Sequence, residues 1–273
     1  MSGDQIEAEA MRPNPVRAKL RQGGLAIGPM IFEFFTPGLF AICARAGADF
    51  CLIDMEHSGI GMDTVRAQLA FARGTGVAPF VRVPANAQHL IAPVLDAGAL
   101  GIMAPLIEDG AQASALTDAC RYRPDGRRGL GFSVAHDDYA EGDVAAKIRA
   151  ANERTLVIAL IESEKGIRNV EDIVAVPGID VGWLGHYDLT DSMGFPGAFD
   201  RPEFDAAVEA LLAACARHRK AAGILATTPG QTSAWRRRGF RCLGFGADTG
   251  LFRDALKEGI VEIRAQAGIA PRP

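Results

Sequence analysis

Short hydrophobic segments alternate with longer amphipathic segments along the whole chain. Eight of the short segments are almost continuously apolar, which is typical of parallel strands covered on both faces. We predict strands at 25–32, 49–55, 78–83, 101–107, 155–162, 181–186, 222–226 and 242–247. Helical periodicity between them predicts helices such as 63–74 and 201–220, the second with Asp200 as its N-cap and Pro202 in its first turn.

Eight strand–helix units in about 250 residues match the length and order of a (β/α)8 TIM barrel. A doubly wound open sheet is the alternative, but it would normally have fewer strands and often a glycine-rich turn after the first one. The glycine-rich stretch "GGLAIG" instead precedes the first predicted strand. We therefore predict an α/β fold with a single barrel domain at 18–273 and a flexible N-terminal segment at 1–17.

The composition is that of an ordinary globular protein, with 48% hydrophobic residues, 23% charged residues and a net charge of −4. This charge argues against a nucleic-acid partner. The sequence lacks an apolar run of the ~18 residues that a membrane span needs, and the N-terminus lacks the apolar core of a secretory signal. The five widely spaced cysteines predict reduced, buried thiols, so we expect a cytoplasmic protein without membrane contact.

Ionisable residues cluster where predicted strands end, which is the end of a TIM barrel that carries the active site. The second strand runs into Asp54, Glu56 and His57, and the third carries Arg82. His57 fits a general base oriented by a carboxylate, although a lone histidine is more often structural. Arg82 suits a bidentate contact with a substrate carboxylate or keto oxygen, or else a salt bridge with Asp54 or Glu56.

Two carboxylates, Glu162 and Asp188, follow the fifth and sixth predicted strands. With no cysteine or histidine pair nearby, they suit a hard divalent cation such as Mg²⁺ or Mn²⁺, whose other positions would be filled by water and substrate. The alternative is structural. In that case Glu162 pairs with Lys165, and Asp188 only caps a short helix.

Five motifs occur in unbroken order between about residue 18 and about residue 260. They are "LIDMEH", "VRVP", "RYRPDGRRGLG", "IESEKGIRNVEDI" and "GHYDLTDSMG". In this order they resemble the successive motifs of the HpcH/HpaI aldolases. That family contains the metal-dependent (class II) pyruvate aldolases of the phosphoenolpyruvate/pyruvate barrel superfamily.

The resemblance implies a role for each charged residue. Glu162 and Asp188 would hold a divalent metal, Mg²⁺ or Mn²⁺ with Co²⁺ or Zn²⁺ as alternatives, and pyruvate would chelate it. His57, supported by Asp54, would serve the proton transfers. Glu56 would hydrogen-bond metal-bound water.

The same resemblance implies the contacts of the substrate and the assembly of the protein. Arg82 would contact the keto oxygen and steady the enolate, and the backbone N–H groups around Tyr187 and Asp188 would receive the pyruvate carboxylate. The family also implies a homo-oligomer, a hexamer or trimer of dimers, with the C-terminal helix at 250–268 swapped onto a neighbour. Its apolar positions need burial somewhere.

The chain departs from the family pattern near the predicted mouth of the barrel. Gly185-His186-Tyr187-Asp188 stands where members often have Gly-Pro-x-Asp, and Leu160 stands where many have Gln. His186 and Tyr187 either replace a polar substrate contact or only line the mouth. Phenylalanines at 32–35 make this mouth more apolar than a site for highly charged acceptors.

The expected activity is therefore the reversible cleavage of 4-hydroxy-2-oxo acids into pyruvate and an aldehyde. The alternatives are an oxaloacetate decarboxylase, a citramalyl- or malyl-CoA lyase, and a non-catalytic barrel that binds a metal or keto acid. The long connection at 121–154 is a further candidate for function, because long ordered loops are often functional. Arg128 within it is expected to order the loop or reach a substrate.

Overall fold

The computed structural model describes residues 11–270. Eight parallel strands form a closed barrel in which each strand pairs with the next, and the last pairs with the first. The strands are Ala26–Ile31 (β1), Phe50–Asp54 (β2), Ala78–Arg82 (β3), Gly101–Ala104 (β4), Leu156–Ile161 (β5), Val181–Leu184 (β6), Ala221–Ala226 (β7) and Cys242–Ala247 (β8). The prediction of a TIM barrel is confirmed.

Helices occupy the connections between the strands. They are Pro15–Arg21 (α1), Leu39–Arg45 (α2), Met62–Phe71 (α3), Gln88–Asp96 (α4), Gly110–Cys120 (α5), Val144–Arg154 (α6), Glu164–Arg168 (α7), Val170–Ala175 (α8), His186–Ser192 (α9), Pro202–Arg217 (α10), Pro229–Arg238 (α11) and Asp248–Gln266 (α12). A short 3₁₀ turn lies at Ala135–Asp137.

The element boundaries differ from the prediction where an apolar run continues past the point at which the backbone turns. β4 ends at Ala104 because the following chain turns through Leu106, whose φ of 54° is left-handed. β6 ends at Leu184 because a helix begins two residues later. The N-cap position of α10 is Arg201 rather than Asp200, and it makes no side-chain cap hydrogen bond.

The N-terminal helix α1 is packed against the barrel. Its N-cap Asn14 accepts a hydrogen bond from the backbone N–H of Arg17 at 3.2 Å. Val16 and Leu20 are buried in the same cluster as the interior side chains of the barrel. Helix α1 therefore crosses the predicted boundary after residue 17, and the other part of the predicted N-terminal segment, residues 1–10, lies outside the described residues.

Alternation along the strands decides which side chains face the barrel interior. Phe50 and Leu52 of β2 belong to the interior cluster, whereas the residues between them pack outward against the helices. Ala78 and Phe80 of β3 follow the same pattern. Because successive side chains point to opposite faces, Asp54 is on the interior side of β2, and the last residue of β3 is on the same side.

The long connection lies away from the carboxyl ends of the strands. It follows the C-terminus of α5 and leads into the start of β5, so its own chain places it at the amino ends of the strands. Arg128 forms an ion pair with Asp96, and its guanidinium lies 4.5 Å from the centre of the Tyr122 ring. Arg128 therefore orders this loop, which is one of the two roles expected for it.

Two further features of the structure are the state of the cysteines and the apolarity of the helices. All five cysteines are buried and none forms a disulfide, as expected. Among residues 11–270, none of the helices combines the length and the apolarity needed to cross a bilayer.

Candidate active site

The predicted site residues meet at the carboxyl ends of the strands. They surround a cavity of about 130 Å³ at the mouth of the barrel. The predicted residues that line it are His57, Arg82, Glu162, His186, Tyr187 and Asp188. Asp54 and Glu56 do not line the cavity but contact Arg82.

Asp54 is the anchor of this cluster. It is fully buried, and its Oδ1 accepts a hydrogen bond from Arg82 Nε at 2.7 Å and from the backbone N–H of Glu56 at 3.0 Å. Its Oδ2 accepts the backbone N–H of His57 at 3.0 Å. One carboxylate thus fixes both the Arg82 guanidinium and the turn that carries Glu56 and His57.

The guanidinium of Arg82 is held between two carboxylates. Its Nη1 lies 3.2 Å from Glu56 Oε2, in addition to the contact of Nε with Asp54. Burial acts to lower the pKa of Arg82, but the hydrogen bond and the charges of these two acids outweigh it and raise the pKa. Arg82 therefore remains a cation at the cavity wall. The alternative expectation, a salt bridge with Asp54 or Glu56, is met by contacts with both acids, but only Nε makes a hydrogen bond, so Nη1 and Nη2 have no hydrogen-bond partner among the described residues.

The His57 ring is oriented differently from the prediction. Asp54 contacts the backbone N–H of His57 and not its ring. The ring is 58% exposed, and its Nε2 lies 3.7 Å from Glu56 Oε2. Glu56, rather than Asp54, is therefore the carboxylate that faces the imidazole.

Glu162 extends the alternation of β5 by one residue and enters the cavity. It is only 5% exposed, and its Oε1 accepts the backbone N–H of Leu106 at 2.8 Å. Burial, together with the charges of Asp188 and Glu56, raises the pKa of Glu162 to about 7 despite that hydrogen bond. A nearby cation stabilises the ionised form of a buried carboxylate whose pKa is raised, so Glu162 is suited to bind one.

The structure disagrees with the structural alternative for both carboxylates. Lys165 pairs with Glu108 at 3.1 Å, and no salt bridge joins it to Glu162 within residues 11–270. Asp188 lies inside the first turn of α9, whose N-cap is Gly185, and no side chain caps that helix. Glu162 therefore does not pair with Lys165, and Asp188 is not the N-cap of the helix.

Gly185 makes room for the Glu162 side chain. A Cβ atom on Gly185 would lie 2.5 Å from Glu162 Cβ and 2.7 Å from Glu162 Oε2, which are distances that real side chains do not tolerate. Sequence reasoning treated this glycine only as part of a motif. Because Gly185 has no side chain, the Glu162 carboxylate can lie beside the start of α9.

The donor set fits a hard divalent cation. Carboxylate oxygens are the ligands that Mg²⁺ and Mn²⁺ prefer, and such ions keep several positions for water and substrate. No cluster of three or more His, Cys, Asp or Glu side chains is arranged as a complete site within residues 11–270. Glu162 and Asp188 would therefore supply two oxygens and leave the remaining positions open.

Asp248 is a positioning residue that sequence reasoning missed. It is the first residue of α12 and is buried, and its carboxylate accepts the backbone N–H groups of Phe32, Glu33 and Phe34 at 2.8 to 3.1 Å. The loop after β1 is thereby fixed, with Phe32 in the cavity wall and its ring 6.0 Å from the Arg82 guanidinium.

The remaining wall is largely apolar. Leu160 and Trp183, which are register partners on β5 and β6, line the cavity. Burial lowers the pKa of His186 to about 4, although a backbone hydrogen bond at Leu184 and the charge of Asp188 oppose the shift. His186 is therefore neutral at neutral pH and contributes an uncharged ring to the mouth.

Comparison with known proteins agrees with this geometry. The model of the HpcH/HpaI aldolase/citrate lyase family matches residues 31–255. The chain is 31% identical to a 5-keto-4-deoxy-D-glucarate aldolase of Klebsiella pneumoniae, over 91% of this chain and 96% of that protein. It is 32% identical to a hydroxypyruvate/pyruvate aldolase of Roseovarius nubinhibens, over 92% of this chain and 97% of that protein.

Solved structures show the same similarity in three dimensions. An HpcH/HpaI aldolase from Desulfitobacterium hafniense superposes with a TM-score of 0.88 at 25% identity, covering 93% of this chain and 98% of that chain. A family protein from Burkholderia cenocepacia superposes with a TM-score of 0.86 at 30% identity, covering 92% and 99%. The barrel, the order of the motifs and these similarities together establish that the chain belongs to the HpcH/HpaI aldolase/citrate lyase family and is a lyase of the aldolase type.

Proposed function

We propose that this aldolase cleaves 4-hydroxy-2-oxo acids reversibly into pyruvate and an aldehyde, using a divalent cation at Glu162 and Asp188. The observation that carries the proposal is the buried Glu162, whose pKa is raised to about 7 in a cavity that also contains Asp188 and Arg82. A carboxylate in this environment is stabilised by a cation. A cationic guanidinium beside it suits a substrate that develops negative charge.

The cation itself is expected to be Mg²⁺ or Mn²⁺, with Co²⁺ or Zn²⁺ as alternatives. HpcH/HpaI aldolases generally depend on divalent metals. When bound, the ion would act as a Lewis acid toward the 2-oxo group of the substrate. Glu162 is held in place for this role by the Leu106 N–H, and Gly185 leaves it the space it needs.

Arg82 would steady the oxygen on which negative charge develops. Its Nε and Nη1 are fixed by Asp54 and Glu56, so the guanidinium is oriented before substrate arrives. The Nη2 group remains to donate a hydrogen bond to the keto oxygen. An oriented donor stabilises the enolate without reorganising during the reaction, which is the main source of rate enhancement at such sites.

His57 would move the protons. In the cleavage direction it takes the proton of the C4 hydroxyl, the C3–C4 bond breaks, and its electron pair passes to C3 to give the enolate of pyruvate. A proton then returns to C3, so a 4-hydroxy-2-oxo acid yields one aldehyde and one pyruvate. The nearby Glu56 carboxylate favours the transient imidazolium.

The carboxylate of pyruvate would lie at the start of α9. The first helical hydrogen bond there runs from Leu189 N–H to the Gly185 carbonyl, so the preceding N–H groups, including those of Tyr187 and Asp188, lie outside the helical ladder. These donors and the cation would orient the 2-oxo acid together. Leu160 adds no polar contact, so the backbone has to supply this part of the recognition.

We further infer a homo-oligomer, a hexamer or trimer of dimers, in which α12 packs on a neighbouring subunit. This inference rests on the exposure of apolar side chains along that helix. They are Phe252, Leu256, Ile260, Val261 and Ile263. A cytoplasmic location is proposed from the five buried, unpaired thiols.

An assay that couples pyruvate release to lactate dehydrogenase tests the proposal. We expect 4-hydroxy-2-oxo acids to be cleaved with Mn²⁺ and not after EDTA treatment. Activity that survives EDTA unchanged contradicts the metal-dependent mechanism. Oxaloacetate is measured in parallel: decarboxylation without any aldol cleavage would replace the proposal with the decarboxylase, and release of pyruvate from neither would leave a binding protein.

A further inference from the structure

A second cavity of about 270 Å³ adjoins the candidate active site. The two cavities share three wall residues, His186, Tyr187 and Leu225, so they lie next to each other at the mouth of the barrel. The new cavity is formed by the ends of β7 and α9, the loop after α9, and α11. None of the proposed catalytic steps uses it.

Aromatic rings make up much of its wall. The Phe199 ring lies 5.2 Å from the ring of His186 and 5.1 Å from that of Tyr187, the latter in an edge-to-face arrangement. Trp235 also lines the cavity. Ring centroids at these distances attract one another and offer the geometry into which a further ring fits.

The loop that carries Phe199 is fixed to α9. Thr190 is fully buried, and its hydroxyl accepts the backbone N–H of Gly197 at 3.0 Å while its carbonyl accepts the N–H of Phe195 at 2.9 Å. Phe199 therefore holds its position without a ligand. A wall that is fixed in advance binds with a smaller loss of conformational entropy.

The charges around the cavity do not favour a carboxylate. Within residues 11–270 the one lysine or arginine that lines it is Arg238, which is already paired with Asp205 at 2.8 Å and Glu209 at 2.7 Å. Two acids face one arginine, so the group has a net negative charge. Among the described residues that line this cavity, none offers an anion an unpaired positive charge to replace its hydration.

The polar groups that remain are neutral. The side-chain oxygen of Gln231 accepts hydrogen bonds from the backbone N–H and the hydroxyl of Thr227 at 3.0 and 2.9 Å. No acceptor for the Gln231 amide NH₂ is found within residues 11–270. The cavity thus offers aromatic surface and uncharged donors, which are the Gln231 amide, the Tyr187 hydroxyl and the Trp235 indole N–H.

We propose that this cavity receives the end of the substrate that becomes the aldehyde, and that it selects an aryl or other uncharged apolar group over a carboxylate. The proposal rests on the proposed function, because it assigns the group attached to C4 of the same substrate. Phe199 and Trp235 are the specificity-determining residues. The reaction is unchanged: the C3–C4 bond breaks, the C4 hydroxyl loses its proton, and C3 gains one.

The test compares two 4-hydroxy-2-oxo acids with the intact protein and Mn²⁺. One carries a phenyl group at C4 and the other carries a carboxyethyl group. We expect the phenyl substrate to have the higher kcat/KM, and Phe199→Ala to lower its kcat/KM about ten-fold through KM, while the carboxyethyl substrate changes less than two-fold. Phe71→Ala, which removes a partly exposed ring from α3, is the matched control and should change neither value.

Two further measurements separate this proposal from the proposed function. Exchange of the pyruvate methyl protons with D₂O needs no aldehyde, so its absence in the wild-type protein refutes the lyase chemistry. If exchange occurs but the carboxyethyl substrate is preferred, the proposed subsite is refuted and the lyase chemistry is not. The same holds if exchange occurs and Phe199→Ala has no effect. Ligand-observed NMR with benzamide should show binding that Phe199→Ala weakens, and equal binding in both proteins overturns the assignment.

Discussion

Replacing Glu162 with glutamine should stabilise the metal-free protein at neutral and alkaline pH. The carboxylate has an ordinary pKa of 4.5, which burial and the neighbouring acids raise to about 7 in the folded protein. Each pKa unit corresponds to about 1.4 kcal/mol, so ionising this group in the folded state costs about 3 kcal/mol. Glutamine keeps the shape and the acceptor for the Leu106 N–H but removes this cost.

The sign of the effect follows from the direction of the shift. Because the folded pKa lies above the unfolded pKa, the contribution of Glu162 to stability is fully present below pH 4.5 and is lost as the pH rises to about 7. The stability difference between Glu162→Gln and the wild type should therefore be near zero at pH 4.5. It should grow to about 3 kcal/mol in favour of the variant by pH 8.

Urea unfolding in EDTA, followed by circular dichroism at pH 4.5, 6 and 8 and one protein concentration, measures this difference. Adding Mn²⁺ at pH 8 should stabilise the wild type and leave the variant unchanged. Glu164→Gln is the matched control, because this glutamate is largely exposed and, within residues 11–270, its one ion pair is with Arg168 on the same helix. A difference for Glu162→Gln that stays constant over the three pH values would refute the reasoning.

Three further substitutions test the geometry. Gly185→Ala should weaken Mn²⁺ binding at least ten-fold by calorimetry, because its Cβ would displace Glu162; unchanged affinity would contradict the packing described. Arg82→Ala and His57→Ala should each lower kcat about 10²- to 10³-fold in the coupled assay while Mn²⁺ still binds, and near-native turnover in either variant would remove its assigned role. Cys120→Ser should keep activity within about two-fold, because this thiol is buried in α5 and burial raises its pKa to about 12; a large loss would mean that the thiol acts in the reaction.

The barrel was predictable because its strands are apolar on both faces. All eight predicted strands occur, and the interior alternation that begins at Phe50 and Phe80 carries Asp54 and Arg82 to the mouth. The ends of the strands were less accurate. The hydrophobicity of Leu106 continues the pattern of β4, but its left-handed backbone ends the strand and aims its N–H at Glu162.

The contacts within the site could not be read from residue spacing. Asp54 and His57 are three residues apart, which suggested contact between their side chains, but the turn between them brings the backbone N–H of His57 to the carboxylate instead. The pairing of Lys165 depended on Glu108, which is far away in the sequence. The wall formed by Phe199 and Trp235 likewise depends on a loop and a helix that meet only in the folded barrel.

Asp248 joins the two ends of the barrel sheet, since it starts α12 directly after β8 and binds the loop that leaves β1. The first residue of the last helix therefore cannot be removed without releasing the loop after β1. A truncation just before Asp248 removes these hydrogen bonds at the point where β8 and β1 close the barrel. A truncation that retains residues 248 and 249 keeps the carboxylate that accepts them. The catalytic mouth therefore depends on where the C-terminal helix begins and not on its full length.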